Sequence, residues 1–302
     1  MRVAFFGLPL AALLLARDGH DVVYAGICRA GAMGTRRLRA RLGRDRVAVK
    51  PNVDAGDTRL RVRAARPDLV VSWFWTTRLP QALLAVAPLG AIGAHPSLLP
   101  RHRGPDPYFW AIESGDTETG VTVHLLGDEY DTGDVLAART LAIDPSWSAW
   151  TLAKRLDRPS LGLLREVVRS YAEGRPPTPT PQDEAHATLA PAPEDELLEI
   201  RWTGTAASVV RRVRAASPWP GAFTDVGGET LAITRARETA DVPRTLAPGE
   251  AFVRSDGVAV VAAGVGGVEL LAGRAESDDR ELDARDLATL VAEARSSSKR
   301  EV

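Results

Sequence analysis

Between Gly93 and Gly133 the chain reads GAHPSLLPRHRGPDPYFWAIESGDTETGVTVHLLGDEYDTG, and its two ends supply a histidine, His95, and a carboxylate, Asp131. Between them lie a Ser-Leu-Leu-Pro turn (Ser97 to Pro100), an Arg103-Gly104-Pro105 loop and a Thr119-Gly120-Val121-Thr122 strand entry. An imidazole titrates near working pH and can serve proton steps in either direction. An acid group folded against it favours the imidazolium and fixes its orientation. Alone, His95 reads as a structural or surface histidine. The ordered set, at this spacing, is specific.

The elements that must position the pair are visible in the first 150 residues. Short apolar strands at Arg2–Phe6, Asp21–Ala25, Val47–Val49, Leu69–Trp73 and Ala91–His95 alternate with helical patterns at about Leu8–Asp18, Arg36–Leu42, Thr58–Ala65 and Leu79–Val86. Such alternation argues for a parallel sheet covered on both faces. Ligands of these sheets sit outside the carboxyl ends of the strands, where His95 falls. The first turn, Gly7-Leu8-Pro9-Leu10, lacks the glycine pattern that lets a backbone approach a pyrophosphate, and no Walker loop occurs. The expectation is a Rossmann-like sheet without its dinucleotide signature.

After Gly133 come a strand (Val135–Leu141), a long helix from about Ser148 to Glu173, and a Pro-rich connector, GRPPTPTP, from Gly174 to Pro181. Residues 182–198 read as an acidic loop. The pattern then changes to a helix at Ala206–Ala216, short β-rich runs at Ala222–Val226, Thr230–Ala236, Val258–Ala262 and Gly267–Ala272, and a closing helix at Ala284–Ala294. Short strands with Gly-rich turns suggest a small barrel or sandwich. The expected division is 1–175 for the α/β domain, 176–199 for the linker and 200–302 for a smaller β-rich domain.

Composition bounds the function. With 302 residues, 45% hydrophobic and 25% charged, the chain resembles an ordinary globular protein. A formal charge of −1 gives no global attraction to a polyanion. The single cysteine, Cys28, excludes an internal disulfide and fits a reducing compartment; it is best read as a small buried residue. No Cys/His cluster has zinc spacing, so no metal is expected. The opening MRVAFFGLPLAALLLARDG reads as strand, turn and helix rather than as a leader, since Gly7 and Pro9 interrupt its apolar run. No stretch has the apolar length to span a bilayer, and a cytoplasmic location is expected.

These residues carry a resemblance. The opening MRVAFFG, the HPSLLPRHRG loop, the ETGVTVHLLGDEYDTGDVLA segment, the QDEAHATLAP linker and the C-terminal WTGTAASVVRRVRAASPWPGAFT resemble the formyltransferases that use 10-formyltetrahydrofolate. The methionyl-tRNA and amino-sugar formyltransferase branches are most similar. The resemblance implies a folate-binding Rossmann-like domain, an OB-like second domain, and transfer of a formyl group to a primary amine. It implies catalytic roles for His95 and Asp131. It also implies that Ser97, Leu98, Leu99, Pro100, Gly127, Asp128, Glu129 and Tyr130 flank the folate. Trp73, Phe74 and Trp75 are expected as an apolar wall near it.

Formyl transfer between nitrogens needs a base for the incoming amine, an acid for the leaving nitrogen and a donor for the negative oxygen. The family supplies that donor from an Asn two residues before the histidine, and this chain has Gly93 there. Losing one such donor costs roughly a hundredfold to a thousandfold in rate. Three accounts stand: a donor from elsewhere, a less demanding acceptor, or a folate-binding relative with weak or no turnover.

The remaining candidates have plainer readings. His102 and His124 read as structural or peripheral, His20 as a solvent-facing turn residue and His186 as a loop residue. Arg36, Arg37, Arg39, Arg41, Arg44 and Arg46 could touch phosphates, but an arginine-rich helix face is usually solvated. From Ile200 onward fourteen Arg and Lys face fifteen Asp and Glu, leaving Arg211, Arg212 and Arg214 as a local patch. The two-domain arrangement favours initiator methionyl-tRNA as acceptor; the charge balance favours a small amine such as an amino-sugar nucleotide.

Overall fold

The structure is a computed structural model and describes residues 1–298. Strand β1 (Arg2–Gly7) is apolar from Val3 to Phe6, and all four side chains are fully buried. A strand without polar alternation has to be covered on both faces, which is the condition of a central parallel strand. Helix α1 (Pro9–Arg17) follows with Pro9 in its first turn, where a missing N–H costs nothing. Then come β2 (Asp21–Ile27), α2 (Thr35–Leu42), β3 (Val47–Val49), α3 (Gly56–Ala64), β4 (Leu69–Trp73), α4 (Gln81–Leu84) and β5 (Ala91–His95). The helix expected over Leu79–Val86 is thus a single turn. Pro80 can only precede it, and Pro88 disfavours helical backbone at the residue before it.

Helix α5 (Pro107–Glu113), β6 (Glu118–Leu125), β7 (Val135–Ala142) and α6 (Ala149–Ala172) continue the chain. The sheet runs β3-β2-β1-β4-β5-β6-β7. Its first five strands are parallel, β6 runs antiparallel to β5, and β7 runs antiparallel to β6 and so along the first five. The parallel sheet read from the sequence thus carries one reversed strand, β6, and the short β6–β7 connection turns the chain back again. Fully buried Phe5, Leu69 and Ile92 anchor its core, each worth roughly 1.5–3 kcal/mol against exposure. Asp18 accepts two 2.6 Å bonds from Arg165, tying α6 back to the end of α1. His20, expected to face solvent, is buried at 9% exposed.

The chain forms two compact units. The first holds Met1–Pro107, Glu118–Ala142 and Lys154–Pro191; the second holds Tyr108–Thr117, Ile143–Ala153 and the chain from Ala192 onward. Part of the expected connector is paired within the first unit: Thr180 bridges Val135, and Leu189 bridges Arg103.

In the second unit α7 (Asp195–Leu198) and α8 (Ala206–Ala216) precede the strands β8 (Ala222–Val226), β9 (Glu229–Thr239), β10 (Ala251–Val253), β11 (Ala259–Ala262), β12 (Gly267–Ala275) and β13 (Glu281–Asp283). These form an antiparallel sheet, β10-β11-β12-β9-β8, with β13 on β12, and α9 (Ala284–Ser298) is the last element among the described residues. Thr205 caps α8 by accepting the Ser208 N–H at 3.1 Å, and Val209 and Val213 turn inward. The basic patch expected on this helix is largely committed. Arg212 pairs with Glu113 at 2.6 Å, and Arg214 donates to the Trp147 carbonyl at 2.9 Å. Among the described residues no helix is long and apolar enough to cross a membrane.

Candidate active site

His95 is the last residue of β5, at the carboxyl edge of the parallel strands. Side chains two apart on a strand share a face, so Gly93 and His95 point the same way. The antiparallel pairing with β6 sets His124 opposite Gly93 and Thr122 opposite His95. Four positions thus gather on one face: a glycine, two imidazoles and a hydroxyl.

Thr122 is fully buried and organises the turn that follows β5. Its hydroxyl donates to the Ser97 carbonyl at 2.8 Å and accepts the Leu99 N–H at 3.0 Å. Ser97, also fully buried, donates from its own hydroxyl to the Arg101 carbonyl at 2.6 Å. The Leu99–Pro100 peptide is cis. Leu98, Leu99 and Pro100 are half-buried around this frame. The turn then delivers the His102 carbonyl to His95 Nε2 at 2.8 Å. His102 itself is held by its N–H on Thr188 Oγ1 at 2.8 Å.

Asp131 arrives from the other turn. Its Oδ2 lies 3.4 Å from His95 Nδ1 and accepts the Gly104 N–H at 2.9 Å. Its Oδ1 lies 3.6 Å from His124 Nε2. The backbone at Asp131 is left-handed, with φ of +58°, a conformation that Asp tolerates better than most residues. Two glycines permit the close approach. A Cβ at Gly133 would sit 1.9 Å from the Leu125 carbonyl oxygen, and one at Gly104 would sit 2.9 Å from that of Ala190.

A strap from the segment after α6 locks both turns. Gln182 donates to the carbonyls of Asp131 and Gly133 at 2.8 and 2.7 Å, and its Oε1 accepts two bonds from Arg103 at 2.8 and 3.1 Å. Arg103 also pairs both ways with Glu184, at 2.7 and 2.9 Å. Those bonds raise the Arg103 pKa and hold the Glu184 carboxyl below the usual range. Sequence reading named Arg103 only as part of a loop, and Gln182, Glu184 and Thr188 only within the QDEAHATLAP linker, with no role for any of them.

The turn from Gly127 to Tyr130 is more open. Asp128, Glu129 and Tyr130 are exposed. The Arg78 N–H donates to the Tyr130 hydroxyl at 2.8 Å, and Arg78 Nη1 donates to the Asp128 carbonyl at 2.9 Å. At the end of β4, Trp73 is buried and donates from Nε1 to Ser160 Oγ at 2.8 Å, while Phe74 meets it edge-on at 4.7 Å. Trp75 packs edge-on against Phe6 at 5.4 Å. Two of the three expected wall residues are therefore engaged in the core, and Phe74 is half-buried.

Of the two readings of His124, structural or peripheral, burial leaves only the first. The ring is 2% exposed and shares Asp131 with His95. Burial pushes it down to about 4, helped by the charges of His95 and Arg103 and opposed by Asp131 and the Leu125 carbonyl.

Residues 48–168 match the family profile described as formyl transferase, and residues 194–289 match its C-terminal domain. The methionyl-tRNA formyltransferase of Anaeromyxobacter dehalogenans strain 2CP-C is 37% identical over 293 residues, which cover 93% of each chain. This chain belongs to the formyltransferase family.

Two solved structures share the formyltransferase fold. HypX from Aquifex aeolicus, in complex with tetrahydrofolic acid, aligns with a TM-score of 0.64 at 23% identity over 97% of this chain; the chain spans about half of HypX, 47%. WlaRD, a sugar 3N-formyl transferase in the presence of dTDP and 5-N-formyl-THF, aligns with a TM-score of 0.63 at 10% identity, covering 89% of this chain and 97% of that one. Within this formyltransferase the side-chain space at Gly93 is not open. A Cβ there would meet Leu126 Cδ2 at 2.8 Å and would stand 3.8 Å from His124 Nε2.

Proposed function

We propose that this chain transfers the formyl group of 10-formyltetrahydrofolate to the amino group of initiator methionyl-tRNA. The observation that carries the reading is His95 Nδ1 facing Asp131 Oδ2 at 3.4 Å on the carboxyl edge of the sheet. It stands in a chain 37% identical to a methionyl-tRNA formyltransferase over 93% of its length. His95 supplies the proton for the leaving nitrogen, and Asp131 orients the ring and carries the compensating charge. Proton transfer by a positioned group of this kind is worth roughly 10²–10⁴ in rate.

The folate is the formyl donor, bound outside the strand ends between the Ser97–Pro100 and Gly127–Tyr130 turns. Two features suit it: both turns flank the His–Asp pair in the chain, and the second turn keeps three consecutive side chains exposed. No metal is part of the reading. On the acceptor side, α2 exposes Arg36, Arg37, Arg39 and Arg41 while burying only Leu38, a face able to meet phosphates.

The test mixes the purified protein with 10-formyltetrahydrofolate and charged initiator tRNA or amino-sugar nucleotides, and follows tetrahydrofolate release. Turnover on the tRNA, lost by a factor of about 10² or more in His95→Ala, is expected. Turnover on an amino-sugar nucleotide alone would reassign the acceptor. Folate binding without turnover on any amine would refute the activity.

A further inference from the structure

At the amino edge of the sheet, the end of the strands away from His95, lies a hollow of about 320 Å³ lined by Arg2, Tyr24, Asp45, Arg46 and Arg61. Three separate elements bring its arginines together. Arg2 opens β1, Arg46 stands just before β3, and Arg61 lies on α3. Formyl transfer uses none of them. The volume sits at the lower end of the range for small-molecule pockets.

The charges in this hollow do not cancel. Arg2 Nη1 and Arg46 Nη1 share one carboxylate, Asp21, at 3.4 and 2.7 Å. Arg61 has no carboxylate partner among the described residues; its Nη2 donates to the main-chain carbonyl of Asp45 at 2.9 Å. The Asp45 carboxylate turns back over its own loop, where a Cβ on Gly43 would stand 2.7 Å from Oδ1. Arg2 is fixed by the carbonyls of Ala65 and Arg66, at 2.6 and 2.9 Å. Each guanidinium carries five N–H donors, so most of those on Arg46 and Arg61 stay uncommitted. A concavity lined mainly by one sign of charge concentrates the opposite ion.

Tyr24 gives an independent sign. It is 2% exposed, and its hydroxyl is buried with no hydrogen-bond partner among the described residues. Phenylalanine would fill that place at lower cost, since a buried polar atom without a partner is unfavourable. Arg61 Cζ lies over the ring, 5.9 Å from its centroid. Burial raises the pKa of the hydroxyl against the pull of Arg61, so it keeps its proton and can donate. A solvated arginine face explains neither the orphan hydroxyl nor the convergence of three elements.

We propose that this hollow binds a compact phosphoryl anion, a pyrophosphate group either free or carried on a small metabolite. Arg46 and Arg61 hold it, with the fixed guanidinium of Arg2 behind them and the Tyr24 hydroxyl beneath. Planar guanidiniums meet phosphoryl oxygens two at a time. An anion that engages Arg61 draws it off the ring and opens the Tyr24 hydroxyl to a bond. The hollow suits such a ligand better than a nucleic-acid strand, whose charge is strung along its length. The site stands apart from formyl transfer, and no bond is made or broken in it.

The experiment titrates the full chain with pyrophosphate and, separately, with ADP, by calorimetry and by Tm, at an ionic strength held constant with sodium chloride. One pyrophosphate per chain is expected, with Tm rising along the saturation curve. Arg46→Gln and Arg61→Gln should each weaken binding about tenfold or more. Tyr24→Phe should weaken it a few-fold while leaving the unliganded Tm unchanged or higher. Tighter binding of ADP than of pyrophosphate supports a phosphoryl group carried on a metabolite; the reverse supports the free anion. Tetrahydrofolate should not compete. Native affinity in either arginine variant overturns the proposal, as does a rise in Tm that sodium chloride alone reproduces. Displacement of pyrophosphate by tetrahydrofolate would move the anion to the His95 site. Displacement by uncharged tRNA would give this face to RNA. Either displacement defeats the assignment.

Discussion

From Pro96 to Gly104 the chain spends its polar groups on holding itself in place, while from Gly127 to Tyr130 it leaves them facing outward. The first turn hangs on the buried hydroxyl of Thr122 and on the strap residues Gln182, Glu184 and Thr188. The second is fixed at its Asp131 end by Gly104 and Gln182, yet three of its side chains remain exposed. Both turns meet at one carboxylate. The contrast suggests a division of labour in which the first turn sets the position of the reacting groups and the second offers surface to a ligand.

If the first turn is the scaffold, breaking its frame should have the largest effect. Thr122→Val keeps shape but leaves the Leu99 N–H and the Ser97 carbonyl without that partner, at a cost of about 1–3 kcal/mol. Denaturant unfolding should show that loss, and kcat should fall with it because His95 is held on the same turn. Thr122→Ser keeps the hydroxyl and should recover most of both. A Val variant with native stability would mean that the turn is held some other way.

Arg103→Met probes the strap and should cost somewhat less. It strips two bonds from Gln182 Oε1, leaving a half-buried amide under-satisfied, a loss of about 1–2 kcal/mol. The Glu184 carboxylate is largely exposed and adds little to that sum. Gln182 also grips the carbonyls on either side of Thr132, so Asp131 should loosen. The check is a fall in kcat accompanied by faster amide hydrogen exchange at Gly104. Unchanged exchange at Gly104 would uncouple the strap from the site.

How much of this could be read from sequence follows from where each contact lies along the chain. His95 and Asp131 were legible because their markers are packed into one short stretch. Helix α8 was read with its observed ends, since Thr205 caps it and Pro218 follows it. The β5–β6 pairing was not legible, and without it His124 reads only as structural or peripheral, because the register alone sets it opposite Gly93. The partners of Arg103 lie 79 and 81 residues away, in a stretch whose proline content reads as linker. Helix α5 was hidden inside the motif itself, and the reversed strand β6 has the same buried pattern as the parallel strands β1 and β2. Periodicity records what is buried but not which neighbour does the burying.

The smallest expected effect tests the other half of the comparison. Tyr130 is 57% exposed, and its one hydrogen bond among the described residues accepts a backbone N–H, that of Arg78. An exposed bond of this kind competes with water, so Tyr130→Phe should change stability by no more than about 0.5 kcal/mol. If the turn serves a ligand, the change belongs in binding: KM for the formyl donor should rise a few-fold with kcat intact, the pattern of lost uniform binding. Steady-state kinetics and an unfolding curve on the same preparation decide it. A drop in stability like that of Thr122→Val would show that both turns are scaffold, and the division of labour between them would disappear.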